Sequence, residues 1–250
     1  DLTGTVLTGA DLSNTNLSGT DLSGKDLSGT VLTGAELSGT DLTGTILTGV
    51  DLSKSDLTGV DLTETTLTGA NLASAILLDA DLTGVDLTGA NLSGADLTGN
   101  DLTGTILTGV SMPYSILSDV DLAGKDLSGT NLSGADLSNV ILTGSDLTGT
   151  DLSNAILAGA DLTGVDLGET NLTEADLTGS DLTKTILTGS LLSRANLAGT
   201  DLSGTIISGV DLSNVLMAET DLSGKDLTGT VLTGADLSNT NLSGTDLSGK

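Results

Sequence analysis

Several residue types are missing from this chain of 250 residues or nearly so. It has no Cys, no His, no Phe and no Trp, one Pro and one Tyr, and only seven Lys and Arg residues against 34 acids. Without Cys there are no disulfides and no thiol chemistry, and without His as well the usual catalytic bases and nucleophiles are lacking. Apolar runs stay far below the ~18 residues that a membrane span requires. We therefore expect neither an enzyme nor membrane insertion.

The chain does contain an unbroken five-residue period, illustrated by Asp26-Leu27-Ser28-Gly29-Thr30, whose members define the first to fifth positions. The second position is Leu in 47 of 50 pentapeptides, and the exceptions are Met112, Ile207 and Met217. The fifth is Thr, Ala, Val or Ser in 45 of 50, the fourth is Gly in 34, and the first is Asp in 27 and Asn in seven. Such a period has to be interpreted before any helix or strand is assigned.

A period of five fits neither regular secondary structure. Successive Leu residues on a helix would be rotated by about 500°, so they would not share a face. Because side chains on a strand alternate with period two, an odd period cannot keep them on one side. The pattern instead favours short extended segments with two inward side chains each, separated by corners. Gly at the corner permits positive φ, and five of the 16 non-Gly corners are Asn, which tolerates it next best.

These pentapeptides resemble the pentapeptide-repeat family, whose motif is approximately Ala-(Asp/Asn)-Leu-(Ser/Thr)-Gly, and the resemblance covers the whole chain. It implies an all-β fold, a right-handed quadrilateral parallel β-helix with four pentapeptides, or 20 residues, per coil. Leu and the small residue two before it would point inward and the other three outward. Residues 1–250 would then form a single continuous solenoid of about 12.5 coils.

One group of first-position residues supports the 20-residue coil independently. Sorted by multiples of 20 from residue 1, this column holds 11 Asp among 13 residues, against 16 among 37 in the other three columns. Carboxylates one coil apart repel by about 0.9 kcal/mol in water, so a hard cation such as Ca²⁺ is a hypothetical cofactor between them. A solvated charged face is the alternative that the pattern favours. The candidate ladder is Asp1, Asp21, Asp41, Asp61, Asp81, Asp101 and Asp121.

The two ends of the sequence are identical. Residues 226–250 repeat residues 1–25, which gives a higher-order repeat of 225 residues. A window cut from a longer tandem array is the favoured interpretation, and a single internal duplication is the alternative. The chain does not begin with Met and shows neither a signal peptide nor a cap, so we expect a fragment or processed product whose coils continue or stack end to end.

Apolar residues occupy 13 of the 50 first positions, and nine of them fall on two opposite faces. Exposed apolar rows usually mark contact surfaces, which predicts that solenoids bundle side by side. A general strand preference of β-branched residues is the alternative. The lateral-contact candidates on the first face are Val6, Ile46, Ile106, Ile186 and Ile206, and those on the second are Ile76, Ile116, Ile156 and Leu216.

A few residues break the pattern. Pro113 and Tyr114 are outward by register and suggest a bend, a docking point or simple drift. Lys25, Lys125 and Lys225 fall at the inward fifth position, where a Lys must reach outward or have a lowered pKa; pairing with Asp21, Asp121 and Asp221 is expected. Asn100, also inward, should hydrogen-bond to the backbone.

Function is reached by elimination. We expect a structural, fibre-forming solenoid that is extracellular or on a cell surface and has no nucleic-acid partner. The alternative follows from the resemblance, because some family members mimic DNA and inhibit DNA gyrase. A net charge of −27 over ~60 Å suits that alternative, which would place the chain in the cytoplasm with a DNA-binding enzyme as partner, but this chain lacks the central Phe residues and terminal helix of those members. Ice binding is less favoured, because Ser and Thr mix on all four faces.

Overall fold

The computed structural model describes residues 5–247, so Asp1 of the candidate ladder lies outside the described part. The chain divides into two compact units, Asp1–Val120 and Asp121–Lys250. Residues 5–247 contain no helix and no continuous strand; most pentapeptides contribute a single bridging residue at the first position and a two-residue turn at the third and fourth positions.

Parallel β-bridges fix the register within each unit. They join first-position residues 20 apart, from Asp11 with Val31 to Asp96 with Ile116 in the first unit, and from Asp121 with Ile141 onward in the second. The prediction that residues 20 apart are neighbours is confirmed. Both units are therefore all-β solenoids in which four pentapeptides complete one coil, whereas a single continuous solenoid over 1–250 stays a prediction.

The backbone amides of the first, second and fourth positions bond to adjacent coils. The second-position N–H donates to a first-position carbonyl of the next coil, as from Leu12 to Val31 at 2.8 Å. The fourth-position N–H donates to a third-position carbonyl, as from Asn14 to Thr33 at 2.8 Å, and the first-position N–H of Val31 donates back to Ala10 O at 2.9 Å. Every coil therefore offers the same donors and acceptors to its neighbours.

The amide of the fifth position explains the corners. The fifth-position N–H closes a turn onto the Leu carbonyl three residues earlier, as from Thr30 to Leu27 at 2.9 Å. Within this turn only the fourth residue has positive φ, which is the type II geometry. All fourth positions in residues 5–247 follow this rule, 32 of them Gly and 16 not. The predicted corner is thus confirmed. The non-Gly corners are Asn14, Lys54, Glu64, Ser74, Asp79, Tyr114, Asp119, Asn139, Asn154, Glu169, Glu174, Lys184, Arg194, Asn214, Glu219 and Asn239.

The remaining amide, that of the third position, is bonded by a side chain. Asp or Asn at the first position accepts it through Oδ1, as Asp41 does from Thr43 at 3.0 Å. All 32 first-position Asp and Asn residues whose third residue is described make this bond. The preference for Asp and Asn therefore has a local cause, which is to satisfy an amide that the coil-to-coil ladder leaves out.

Leu and the small fifth-position residue fill the interior, as predicted. Leu27 and Thr30 are both fully buried. Most inward hydroxyls donate to second-position carbonyls, either three residues back, as from Thr45 Oγ1 to Leu42 O at 2.7 Å, or one coil further back, as from Thr30 Oγ1 to Leu7 O at 2.9 Å. Thr130 Oγ1 is an exception, buried with no hydrogen-bond partner among residues 5–247. Thr at the fifth position costs little where its buried oxygen is bonded in this way.

Asn100 confirms its predicted backbone bonding. Its side chain is buried, and Nδ2 donates to Leu77 O at 2.7 Å and to Leu97 O at 2.8 Å. These carbonyls are the same type of acceptor that inward Thr residues use, but the buried Oδ1 of Asn100 has no hydrogen-bond partner in the described part of the chain.

Candidate interaction faces

Five ladder residues lie in one exposed column of the first unit. Parallel bridges join Asp21 with Asp41 and Asp61 with Asp81, and we call this column, with Asp101, the acidic face. Asp121 belongs to the second unit. The carboxylates turn onto their own pentapeptides: Asp21 Oδ1 accepts the Ser23 N–H at 3.0 Å and the Ser23 hydroxyl at 2.6 Å. Within residues 5–247 no three acidic side chains are grouped to hold a metal ion, so the Ca²⁺ hypothesis gains no support there.

The same kind of hydrogen bond favours the charged form of Asp21. The Ser23 side chain, then its backbone N–H, lowers the pKa of Asp21 against an opposing effect of burial, and Lys25 adds attraction. Asp11, Asp26 and Asp236 have lowered pKa values for the same two reasons, with Ser as the donor each time. At these four residues the bonds from Ser therefore favour an anionic surface.

The lateral-contact candidates are mostly exposed, but few of them touch one another. Ile46 and Ile106 are 45% and 46% exposed, Val6, Ile76, Ile116, Ile156, Ile206 and Leu216 are exposed as well, and Ile186 is half-buried. On the Ile76 face, Ile76 bridges to Asp56 and Asp96 in the adjacent coils, and Ile156 bridges to Asp136 and Asp176. Only Ile186 and Ile206 bridge each other directly. The apolar rows expected from the sequence are thus interrupted by charge.

One surface with little charge extends part of the first predicted contact face. In the first unit, parallel bridges connect Ile46, Thr66, Asp86 and Ile106 in consecutive coils. The third-position residues of those pentapeptides, which lie two residues further along each segment, are all Thr. We call the eight residues the Thr/Ile face: Ile46, Thr48, Thr66, Thr68, Asp86, Thr88, Ile106 and Thr108. The prediction named Ile46 and Ile106 but not the Thr residues beside and between them.

The inward lysines are half-buried, as their position predicts. Lys225 Nζ donates to the carbonyls of Leu202 and Thr205 in the preceding coil. Burial lowers the pKa of Lys225, while Asp201 and Asp221 oppose that shift. The expected partner Asp221 is therefore accompanied by Asp201. Lys25 lies close enough to Asp21 to lower the pKa of that carboxyl, and Lys125 is half-buried as well.

Pro113 and Tyr114 do not interrupt the ladder. Pro113 O accepts the Gly94 N–H at 2.8 Å, and Ser115 N–H closes the turn onto Met112 O at 3.3 Å. Pro113 occupies the third position, whose N–H the ladder does not use, and Ser111 at the first position supplies no Asp or Asn. Pro also suits the position before the positive-φ corner of a type II turn. Tyr114 is 71% exposed at that corner.

Polar side chains also pair between coils. In the first unit Asn91 Nδ2 donates to Asn71 Oδ1 at 3.0 Å, and Asn71 Nδ2 donates to Asp51 Oδ1 at 3.0 Å. In the second, the corner residues Arg194 and Glu174 form an ion pair at 2.5 Å. Asn in this column thus separates carboxylates that would otherwise face each other. Sequence reasoning counted these residues only as substitutes for Asp.

No helix in the described part of the chain is long and apolar enough to cross a membrane. A surface depression in the second unit adjoins Gly168, where a missing side chain at the third position leaves space between Asp166 and Thr188. It contains no pairing of a nucleophile with a base. Its lining therefore offers no catalytic arrangement.

The uninterrupted pentapeptides, the 20-residue register and the type II corners define a class of repeat solenoid. The family model for pentapeptide repeats matches eight times, over residues 1–24, 10–49, 46–77, 75–112, 115–154, 155–194, 187–217 and 211–249. The chain belongs to the pentapeptide-repeat family. Nothing in this match points to a catalytic family.

Several solved structures are similar. The crystal structure of HetL from the cyanobacterium Nostoc sp. strain PCC 7120, described as involved in heterocyst differentiation regulation, is 32% identical, with 95% of this chain and 89% of HetL covered and a TM-score of 0.39. Rfr23 from the cyanobacterium Cyanothece 51142 is 30% identical over 42% of this chain and 89% of its own, with a TM-score of 0.24. QnrB1, a plasmid-mediated fluoroquinolone resistance protein, is 21% identical over 78% and 90%, with a TM-score of 0.33. No curated protein sequence matches.

Proposed function

We propose that this chain is a structural protein whose coils continue into, or stack end to end as, filaments that also bundle side by side. The full proposed architecture is a right-handed, square solenoid of about 12.5 coils. An extracellular or cell-surface location goes with this role, and the proposed partner is the chain itself.

The observation that carries the proposal is that coils are interchangeable. Each coil donates its second- and fourth-position N–H groups to the next and receives the first-position N–H of that coil on its fifth-position carbonyl. A coil from another copy could make the same bonds. Head-to-tail contacts of this kind do not close on themselves, so they generate filaments. The identity of residues 226–250 with 1–25 supports the same conclusion, because a second copy would continue a sequence that already repeats.

Electron microscopy and sedimentation over a concentration series test the stacking. We expect filaments that lengthen with concentration and a fibre-diffraction spacing of ~4.8 Å along the axis. Leu237→Asp places a carboxylate at a core position near the end of the second unit and should abolish filaments. Ser238→Asp, an outward change of equal charge in the same pentapeptide, should leave them intact. Monomers at every concentration, or equal behaviour of the two variants, would refute the proposal.

A second candidate, an acidic mimic of DNA that inhibits a DNA-binding enzyme such as DNA gyrase, is favoured by the acidic face. Its carboxylates recur once per coil from Asp21 to Asp101, about 4.8 Å apart, compared with phosphates every 3.4 Å along one DNA strand. A cytoplasmic location would follow. A gyrase supercoiling assay tests this candidate, which requires inhibition that weakens with salt and short discrete particles in place of filaments.

A further inference from the structure

We infer that the Thr/Ile face of the first unit is a self-docking surface, on which a second copy of this chain packs with its coils running in the opposite direction. Ile46 then lies opposite the partner's Ile106, and Thr66 lies opposite the partner's Asp86. This inference rests on the proposed function, because it specifies the contact through which solenoids would bundle side by side. The surface involved is different from the coil ends that would stack end to end.

Low charge and exposed apolar side chains together select this face for contact with another copy. The acidic face carries a carboxylate at every coil from Asp21 to Asp101, so two such faces would repel. On the Ile76 face, Ile and Asp alternate between coils. The Thr/Ile face has one acid in four consecutive coils, and Ile46 and Ile106 are exposed there. The remaining column also has one acid in four coils but is polar and half-buried throughout: Asp51, Asn71, Asn91 and Ser111.

The order of residues makes the face self-complementary. A two-fold axis parallel to the strands, midway between those of Thr66 and Asp86, reverses the order Ile46, Thr66, Asp86, Ile106. Each Ile then packs on the other Ile, and each Asp86 carboxylate faces the hydroxyl of a Thr66. An axis on the Asp86 strand would oppose two carboxylates, and one on the Thr66 strand would oppose Ile46 to Asp86. The midway arrangement alone avoids both, and it has the reciprocal contacts of a two-fold interface.

The third-position residues fit the same arrangement. The axis brings Thr48 opposite the partner's Thr108, and Thr68 opposite the partner's Thr88. Hydroxyl and methyl groups on both sides give a level surface with no added charge. Because four coils form a patch well below the ~800 Å² per partner of a stable interface, a single patch supports only transient pairing. Repetition along a filament strengthens the contact through effective concentration.

Cross-linking tests the geometry directly, because the chain has no Cys of its own. Ile46→Cys and Ile106→Cys are prepared separately, and each is treated alone and in an equal mixture with a thiol cross-linker spanning the ~10 Å between packed sheets. We expect the mixture to give at least tenfold more dimer than either variant alone. The matched control Ile76→Cys, which is similarly exposed on another face, should give no excess with either. Dimer from one variant alone, or no excess in the mixture, overturns the inference.

A charge test adds a second readout. Thr66→Asp places a carboxylate opposite the partner's Asp86 and should lower the cross-linking yield of the mixed variants at least fivefold, whereas Thr66→Lys should preserve or raise it. Equal yields with Asp and Lys would refute the pairing of residue 66 with Asp86. Filaments without the 46–106 cross-link reject only this inference, and the cross-link without filaments rejects only end-to-end stacking.

Discussion

The residue preferred at a position of the pentapeptide depends on the backbone group that its side chain or its own amide bonds to. Asp and Asn at the first position accept the third-position N–H, as Asp41 does from Thr43. Where the first residue is apolar, as at Ile46, the structure gives that amide no acceptor among residues 5–247: Thr48 N–H is an example. Pro113 shows that the donor can be removed altogether. Tolerance to substitution therefore depends on the neighbour two residues earlier.

Proline at third positions tests this dependence. Thr48→Pro removes an amide without an acceptor and restricts the unfolded chain, so the free energy of unfolding should stay equal or rise by up to about 1 kcal/mol. Thr43→Pro removes the donor to Asp41 and should be less stable than Thr48→Pro by about 1 kcal/mol. Urea denaturation measures both. The same loss of stability in the two variants would contradict the proposed role of the first-position carboxylate.

Corner residues give a second test in the second unit. Gly129 has a φ of 63°, and a Cβ there would meet nothing within 4 Å, so backbone conformation alone sets the cost of substitution. Gly129→Asn should cost less than about 1 kcal/mol, and the β-branched Gly129→Val about 1 to 3 kcal/mol. Thermal denaturation of both variants measures the difference. Equal costs would show that positive φ is not what limits this position.

How much of this was predictable differs between positions. Positive φ at the corner follows from Gly and Asn together with the period, and it extends to Glu169 and Arg194, which sequence alone would not place there. The side-chain bond from Asp or Asn to the third amide did not follow, because a period shows that a residue recurs without showing which donor it meets. The Thr/Ile face was predicted only in part: Ile46 and Ile106 were recognised from the first positions, but the Thr residues beside them at the third positions were not.

Columns formed by stacked coils are the next level of organisation. Within the first unit, Asp51, Asn71 and Asn91 form a chain of side-chain hydrogen bonds in which each amide donates to the coil before it. The pKa of Asp51 is lowered because bonds from Ser53, Thr33 and Asn71 outweigh the opposing, individually largest effect of partial burial. Asn71 therefore serves two purposes: its Oδ1 accepts the third-position N–H of its own pentapeptide, and its Nδ2 donates a hydrogen bond to the carboxylate of Asp51.

Replacing that amide with a carboxylate should reverse its effect. Asn71→Asp loses the bond to Asp51 and adds repulsion across one coil, so unfolding should become easier by about 1 to 2 kcal/mol at pH 7. Asn71→Ala lacks the repulsion and serves as the control, although it also loses the acceptor of the Ala73 N–H, which Asp would keep. Because protonation removes the repulsion, the Asp variant should gain stability relative to the Ala variant when urea denaturation is repeated below about pH 3. A difference between the two variants that does not change with pH would exclude charge as the cause.

The chain as a whole is expected to lose stability in acid. Hydrogen bonds from Ser side chains and N–H groups lower the pKa of Asp11, Asp26 and Asp236 in the folded protein. Over the pH range just below the ordinary Asp pKa, about 4, the unfolded chain binds more protons than the folded one. The free energy of unfolding therefore decreases as the pH is lowered through this range. This contribution is fully present above about pH 4. Urea denaturation between pH 7 and pH 2 measures it, and an increase in stability on acidification would mean that relief of charge repulsion dominates.

The amide that lies outside the coil-to-coil ladder has a consequence for isotope exchange. Every fifth N–H along the chain is protected by a side chain alone, or by nothing, whereas its four neighbours are held by backbone carbonyls. Deuterium uptake should therefore rise and fall with a period of five residues. It should be fastest at third positions such as Thr188, whose pentapeptide begins with Ile186 and so offers no side-chain acceptor. It should be slower at Thr183, whose N–H donates to Asp181 at 2.8 Å. A uniform exchange profile would mean that whole coils open together. A profile with a five-residue period would mean that third-position amides exchange individually while the coils stay closed.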